Sequence, residues 1–159
     1  MIRKIRNGVF ETNSSSTHAL VYNKKENYDF LSPSRQLIIN FVDTNDDTTY
    51  DTLREKVSYL VSQIINNYKD NVLSYKDLIE EVEENYDFQR IKEYVKERYD
   101  KDIVFPEKYD GDLDNIVYIN HQLTDWHDLD ELLTEIVTYD HVLLDEVLSP
   151  SSSIEIGHD

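Results

Sequence analysis

Eight polar residues in a row, Glu11-Thr12-Asn13-Ser14-Ser15-Ser16-Thr17-His18, separate the apolar pair Val9-Phe10 from Ala19-Leu20-Val21. Such a run can aim several hydroxyls and backbone N–H groups at one anionic oxygen, which is what holding a phosphate requires. A Ser or Thr beside a His also has the parts of an activated hydroxyl nucleophile. The plainer reading is a solvated Ser/Thr turn between strands, with His18 exposed. No GxxxxGK[ST] phosphate loop or GxSxG elbow accompanies the run.

A second polar string, Ile119-Asn120-His121-Gln122, follows the apolar stretch at 115–119. Polar residues at a strand's end are well placed to enter a crevice. His121 suits general acid or base work, because a free imidazole titrates near ~6.5. The alternative is a capping cluster that leads into a helix. A third stretch, 124–131, offers Asp125, His127, Asp128, Asp130 and Glu131 to a divalent cation. Asp in a first helical turn is equally what the helix dipole favours. His121 and His127 also lack a known ligand spacing, so no metal site is expected. His141 and Asp145 make an ordinary i,i+4 surface pair. Trp126 reads as core.

The elements that must position these strings fit one domain. The chain has 159 residues, 39% of them hydrophobic, with twelve Tyr, three Gly and three Pro. Without cysteine it has no disulfide, thiolate zinc site or cysteine nucleophile. No apolar run approaches the roughly 20 residues of a membrane helix, and MIRKIRNGVFETN lacks the apolar core of a secretory signal. A cytoplasmic location is therefore expected, with no membrane partner. The net charge of -17 excludes a sequence-independent nucleic-acid binder, which needs a basic surface. Charge runs in a gradient. Residues 1–42 carry a net +3, residues 43–108 a net -7, and residues 109–159 thirteen Asp/Glu with no Lys or Arg. This marks an acidic C-terminal lobe over about 109–159.

Strands are expected at 17–23, 36–42, 102–105, 115–119 and 153–156. Leu53, Val57, Leu60, Val61, Ile64, Ile65 and Tyr68 form a helical stripe within 48–68, with Thr52 and Glu55 at capping-box spacing. Further helices are expected at 75–86 (cap pair Ser74 and Asp77), 88–99 (cap Asp87), 125–138 and 141–148. Asn85 and Asp87 either break the 75–99 segment or bend one long helix. The order predicts a single α+β domain over 1–159. Its sheet is mostly antiparallel, from N- and C-terminal strands around a central helical block.

RNGVFETNSSSTHAL resembles the N-terminal signature of a group of uncharacterised proteins from bacteriophages and mobile elements of low-GC Gram-positive bacteria. EKVSYLVSQI at 55–64 resembles that group's amphipathic helix. Asn120-His121-Gln122 resembles its Asp-His-Gln element, with Asn in place of the Asp. SIEIGHD at 153–159 resembles its closing strand and Gly turn. The resemblance brings no reaction and no cofactor, but implies that the first two polar strings form one site.

Two functions follow as expectations. In the first, Asn13, Ser14, Ser15, Ser16, Thr17 and Gln122 ligate a small phosphate-containing or nucleotide ligand, and His18 and His121 act as the proton-moving groups of any catalysis. Arg3, Lys4 and Arg6 add positive potential. In the second, the acidic lobe occupies the basic, nucleic-acid-binding surface of a host protein, as an inhibitor or mimic.

Overall fold

A computed structural model describes residues 3–5, 16–22, 34–44, 47–119 and 142–158, with side chains over 34–44, 47–119 and 144–155. The expected helix at 125–138, the string at 120–122 and residues 11–15 lie outside the described residues. The elements are β1 (Arg3–Ile5), β2 (Ser16–Tyr22), β3 (Gln36–Ile38), β4 (Thr48–Tyr50), α1 (Leu53–Tyr68), α2 (Tyr75–Glu84), α3 (Tyr86–Tyr99), β5 (Asp102–Val104), α4 (Val142–Val147) and β6 (Ser152–His158). The fold class is α+β, as expected. An antiparallel sheet runs in the order β1-β2-β6-β4, and β3 and β5 make a separate parallel pair.

Short-range chemistry sets the helix starts. Glu55 N donates to Thr52 Oγ1 at 3.1 Å while Thr52 N donates to Glu55 Oε2 at 3.1 Å, a complete capping box on α1. Ser74 Oγ accepts from Asp77 N at 3.1 Å on α2. The cap of α3 is Asn85 rather than Asp87: Asn85 Oδ1 accepts from Phe88 N at 3.0 Å. Asn85 is extended (φ -67, ψ 132), so the segment breaks into two helices instead of bending. A hydrogen bond from Asn85 Nδ2 to Tyr68 Oη, 2.9 Å long, selects this residue as the break. At the other end of α3, Asp100 takes the left-handed conformation of a C-cap (φ 52).

The core gathers around α1. From Lys56 to Ile65 every residue of α1 is buried, and Leu78 and Val82 of α2, with Phe88, Ile91 and Val95 of α3, pack into the same cluster. Ridges of Leu, Ile and Val supply most of the hydrophobic stabilisation, at roughly 25 cal/mol per Å² of apolar area buried.

The expected strand at 36–42 is shorter, because after Ile39 its backbone turns to new partners. Ile39 N still donates to Val104 O of β5, at 2.9 Å. Arg54 Nε then donates to Ile38 O (2.6 Å), Asn40 N to Ser58 Oγ (3.0 Å) and Val42 N to Ser62 Oγ (3.2 Å). Helix positions 54, 58 and 62 thus match chain positions 38, 40 and 42. The match works because four helical residues rise about 6 Å and two extended residues about 6.6 Å.

The expected strand at 115–119 is absent. Leu113–Asn115 is a 3-10 turn, and Tyr118 makes a single parallel bridge to Asp43, with Thr44 N donating to Tyr118 O at 2.8 Å. Ile116 and Val117 are both buried, which an alternating half-exposed strand does not permit. At Gly111 a Cβ would lie 2.6 Å from Tyr109 Oη, so any larger residue there would have to displace that ring. Ser62→Ala removes the acceptor for a buried N–H and is expected to cost about 1–3 kcal/mol in urea unfolding. A loss below ~0.5 kcal/mol would show that this helix-to-chain ladder is not structural.

Candidate functional site

The strand half of the first polar string is not a loop. Ser16, Thr17 and His18 open β2 and pair with His158, Gly157 and Ile156 of β6. The strand expected at 17–23 is thus β2, and it begins one residue earlier, so three residues of the polar string have their backbone in a sheet ladder rather than in a turn. Register positions 16 and 18 share a parity with 156 and 158, so the start of β2 and the end of β6 are joined along one edge of the pleat. Gly157 brings no side chain opposite Thr17. β1 flanks β2 on the other side, with Ile5 opposite Leu20, Lys4 opposite Val21 and Arg3 opposite Tyr22. Asn13, Ser14 and Ser15 immediately precede β2 but lie outside the described residues. So do His121 and Gln122, and with them the expected meeting of the two strings.

Three long side chains fasten the corner between α4 and β6. Lys56 is fully buried, and its Nζ donates to Ser149 O (2.7 Å), Ser152 O (3.0 Å) and Ser152 Oγ (3.1 Å). From α3, Tyr99 Oη donates to Leu148 O at 2.6 Å and Tyr94 Oη donates to Asp145. Burial, and then the Asp145 carboxylate, push the Tyr94 phenol well above its ordinary value. Sequence reasoning missed Lys56 because lysine ordinarily marks a wet face. Its signal was position: three residues after Leu53 and four before Leu60, it falls inside the apolar stripe.

A cleft of about 390 Å³ opens between the 40–50 segment and the first turns of α1. Asn40, Phe41, Val42, Asp43, Asp47, Thr48, Tyr50, Glu55 and Ser58 line it. Among the described lining residues three are carboxylates and none is Lys, Arg or His; Arg54 reaches the rim through Asn40, its Nη2 donating to Asn40 Oδ1 at 2.9 Å. Its volume lies at the low end of small-molecule sites. Burial first, then Asp43 and Glu55, push the Tyr50 phenol up to about 12.

Among the described residues no group of three His, Cys, Asp or Glu side chains could hold a metal ion. No described helix is long and apolar enough to cross a membrane.

The arrangement defines an α+β domain with a polar strand end and a separate acidic cleft. No protein-family model, no curated protein and no solved structure matches the chain.

The cleft's field has a direct readout. In Asp43→Asn the Tyr50 phenol should titrate below about 12, moving toward the ordinary tyrosine value of 10.0, because one of the two charges that raise it is gone. NMR titration of the ring carbon measures this, and a midpoint unmoved by the substitution would show that Asp43 does not act on the cleft.

Proposed function

We propose that this protein binds a small phosphate-containing or nucleotide ligand at the polar end of the β2–β6 pair. The observation that carries the reading is the register: Ser16, Thr17 and His18 stand opposite His158, Gly157 and Ile156. Two segments more than a hundred residues apart, each singled out by the phage-type resemblance, are hydrogen-bonded neighbours in one sheet. In this reading Asn13, Ser14, Ser15, Ser16 and Thr17 supply hydroxyls, amides and backbone N–H groups to the anionic oxygens. His18 gives or takes a proton, and His121 and Gln122 complete the site. The basic strand β1 lies beside the other end of β2, with Lys4 opposite Val21 and Arg3 opposite Tyr22. The reading includes the expectation that the chain belongs to that phage and mobile-element group and acts in the host cytoplasm.

A second reading, an acidic protein that engages a basic host protein, is favoured by the carboxylate-lined cleft. It relocates part of the contact from the lobe at 109–159 to Asp43, Asp47 and Glu55. Salt should weaken such binding, and Asp43→Asn with Asp47→Asn should weaken it further.

Calorimetric titration with inorganic phosphate and with nucleoside mono- and triphosphates tests the first reading. Binding should weaken about tenfold or more in each of Ser15→Ala, His18→Ala and His121→Ala, with the circular dichroism of each unchanged. If the unaltered protein binds none of these ligands, or if all three variants bind as it does, the reading fails.

A further inference from the structure

Among the described residues Leu73 stands almost wholly in solvent, 98% exposed. We propose that it forms, with the rings of Phe41, Tyr75 and Tyr109, a docking surface for a basic segment of a partner protein. That segment brings apolar side chains to the rings and Lys or Arg to the carboxylates around them. The proposal rests on the second reading above, engagement of a basic protein, and adds an apolar anchor to it. It is independent of phosphate binding at the β2–β6 end.

Phe41, Tyr75 and Tyr109 form a triangle. Phe41 stands edge-on to both tyrosines, its centroid 6.2 Å from that of Tyr75 and 5.7 Å from that of Tyr109, and the two tyrosines are 6.2 Å apart. All three rings are partly buried and pack against the core from outside. The phenols are already used: Tyr75 Oη donates to Pro106 O at 2.6 Å and Tyr109 Oη to Asp112 O at 3.3 Å. Rings held in one geometry lose little freedom when a partner covers them.

Leu73 lies two residues before Tyr75. Its neighbour Val72 packs against the core, whereas Leu73 does not. The backbone that carries it is fixed on both sides. Before it, Lys69 Nζ donates to Asp114 O and Val117 O, each at 3.0 Å. After it, Ser74 caps α2. A lone exposed leucine is ordinary, but one displayed on a fixed backbone beside three packed rings belongs to an apolar patch, and such patches mark interaction surfaces. Tyr118, 47% exposed, is bridged to Asp43, two residues beyond Phe41. Phe41 also lines the cleft, so the patch and the cleft share a wall.

Charge selects the occupant. Segments 69–77 and 106–118 hold six carboxylates and three lysines. Asp70, Glu107, Asp110, Asp112 and Asp114 are exposed. The lysines are all engaged: Lys69 with the two carbonyls, Lys76 with Glu80 at 3.9 Å and Lys108 with Asp110 at 3.8 Å. A second copy of the chain would bring a further charge of -17 to this face, and an anionic lipid surface would be repelled in the same way. A basic segment meets a field of opposite sign, which steers it to the patch.

Two helical peptides of equal charge test the surface. One carries leucines on one face and lysines on the other; the second has every leucine replaced by serine. In calorimetry the leucine peptide should bind about tenfold more tightly or better, and Leu73→Ser should remove about tenfold, the worth of burying one such side chain. Because Leu73 is exposed, the circular dichroism of this variant should be unchanged. Salt should weaken both peptides, with the same slope in the variant as in the unaltered protein. NMR should show the amides of 72–75 and 109 shifting with the leucine peptide. Equal binding of the two peptides, or unchanged binding in both Leu73→Ser and Tyr118→Ser, overturns the docking surface and leaves the electrostatic reading standing. If neither peptide binds, both fail. A dimer seen by light scattering and abolished by Leu73→Ser would place a second copy on the patch and also overturn the proposal.

Discussion

A helix buried around its whole circumference has no wet face on which to leave a polar group. From Lys56 to Ile65, α1 is such a helix, and the rest of the structure adjusts to it. Ser58 and Ser62 accept the backbone N–H groups of Asn40 and Val42, and Lys56 donates into the α4–β6 corner. Most buried polar atoms in proteins are paired, and each of these three residues fixes a neighbouring segment in one place, whereas the buried Gln63 amide of the same helix has no hydrogen-bond partner among the described residues. Ser58 and Ser62 hold the segment that forms the cleft's wall. Lys56 holds the origin of the central strand. The hydrophobic cluster supplies the driving force, while these few polar contacts decide which arrangement of the surrounding chain it stabilises.

The acidic cleft and the polar strand end divide the electrostatics of the molecule. Positive residues sit on β1 beside β2, whereas Asp43, Asp47 and Glu55 sit across β4 from the other sheet edge. Because β6 and β2 separate β1 from β4, opposite charges gather on opposite margins of one sheet. A net charge of -17 alone would argue against an anionic ligand.

Short-range chemistry was legible in the sequence. Thr52–Glu55 and Ser74–Asp77 worked as caps because a cap is decided by residues three positions apart. The stripe of α1 and the β-rich ends of the chain were legible for the same reason. What escaped notice depends on contacts made across long stretches of sequence. The apolar, β-rich run at 36–42 reads as one strand, yet Asn40 and Val42 donate to a helix and Thr44, just beyond it, to Tyr118. Asn85 displaced Asp87 as a cap through Tyr68, seventeen positions away. Lys56 carries the label of a surface residue and the position of a core one. Of the polar string, the sequence identified Ser16 to His18 as unusual but not that their backbone is already committed to β6.

The pairing of β2 with β6 also governs how the chain comes into being. Tyr22 waits for Ser152 and Ser16 for His158, so the longest ladder among the described residues joins segments well over a hundred residues apart. On the ribosome, α1, α2 and α3 can assemble from local contacts while β2 still lacks this neighbour. Such late, high-contact-order closure is slow, and during synthesis it leaves a strand of apolar Ala19-Leu20-Val21 open to the wrong neighbour. The sequence-local helical block therefore has its partners in place before β2 can meet β6.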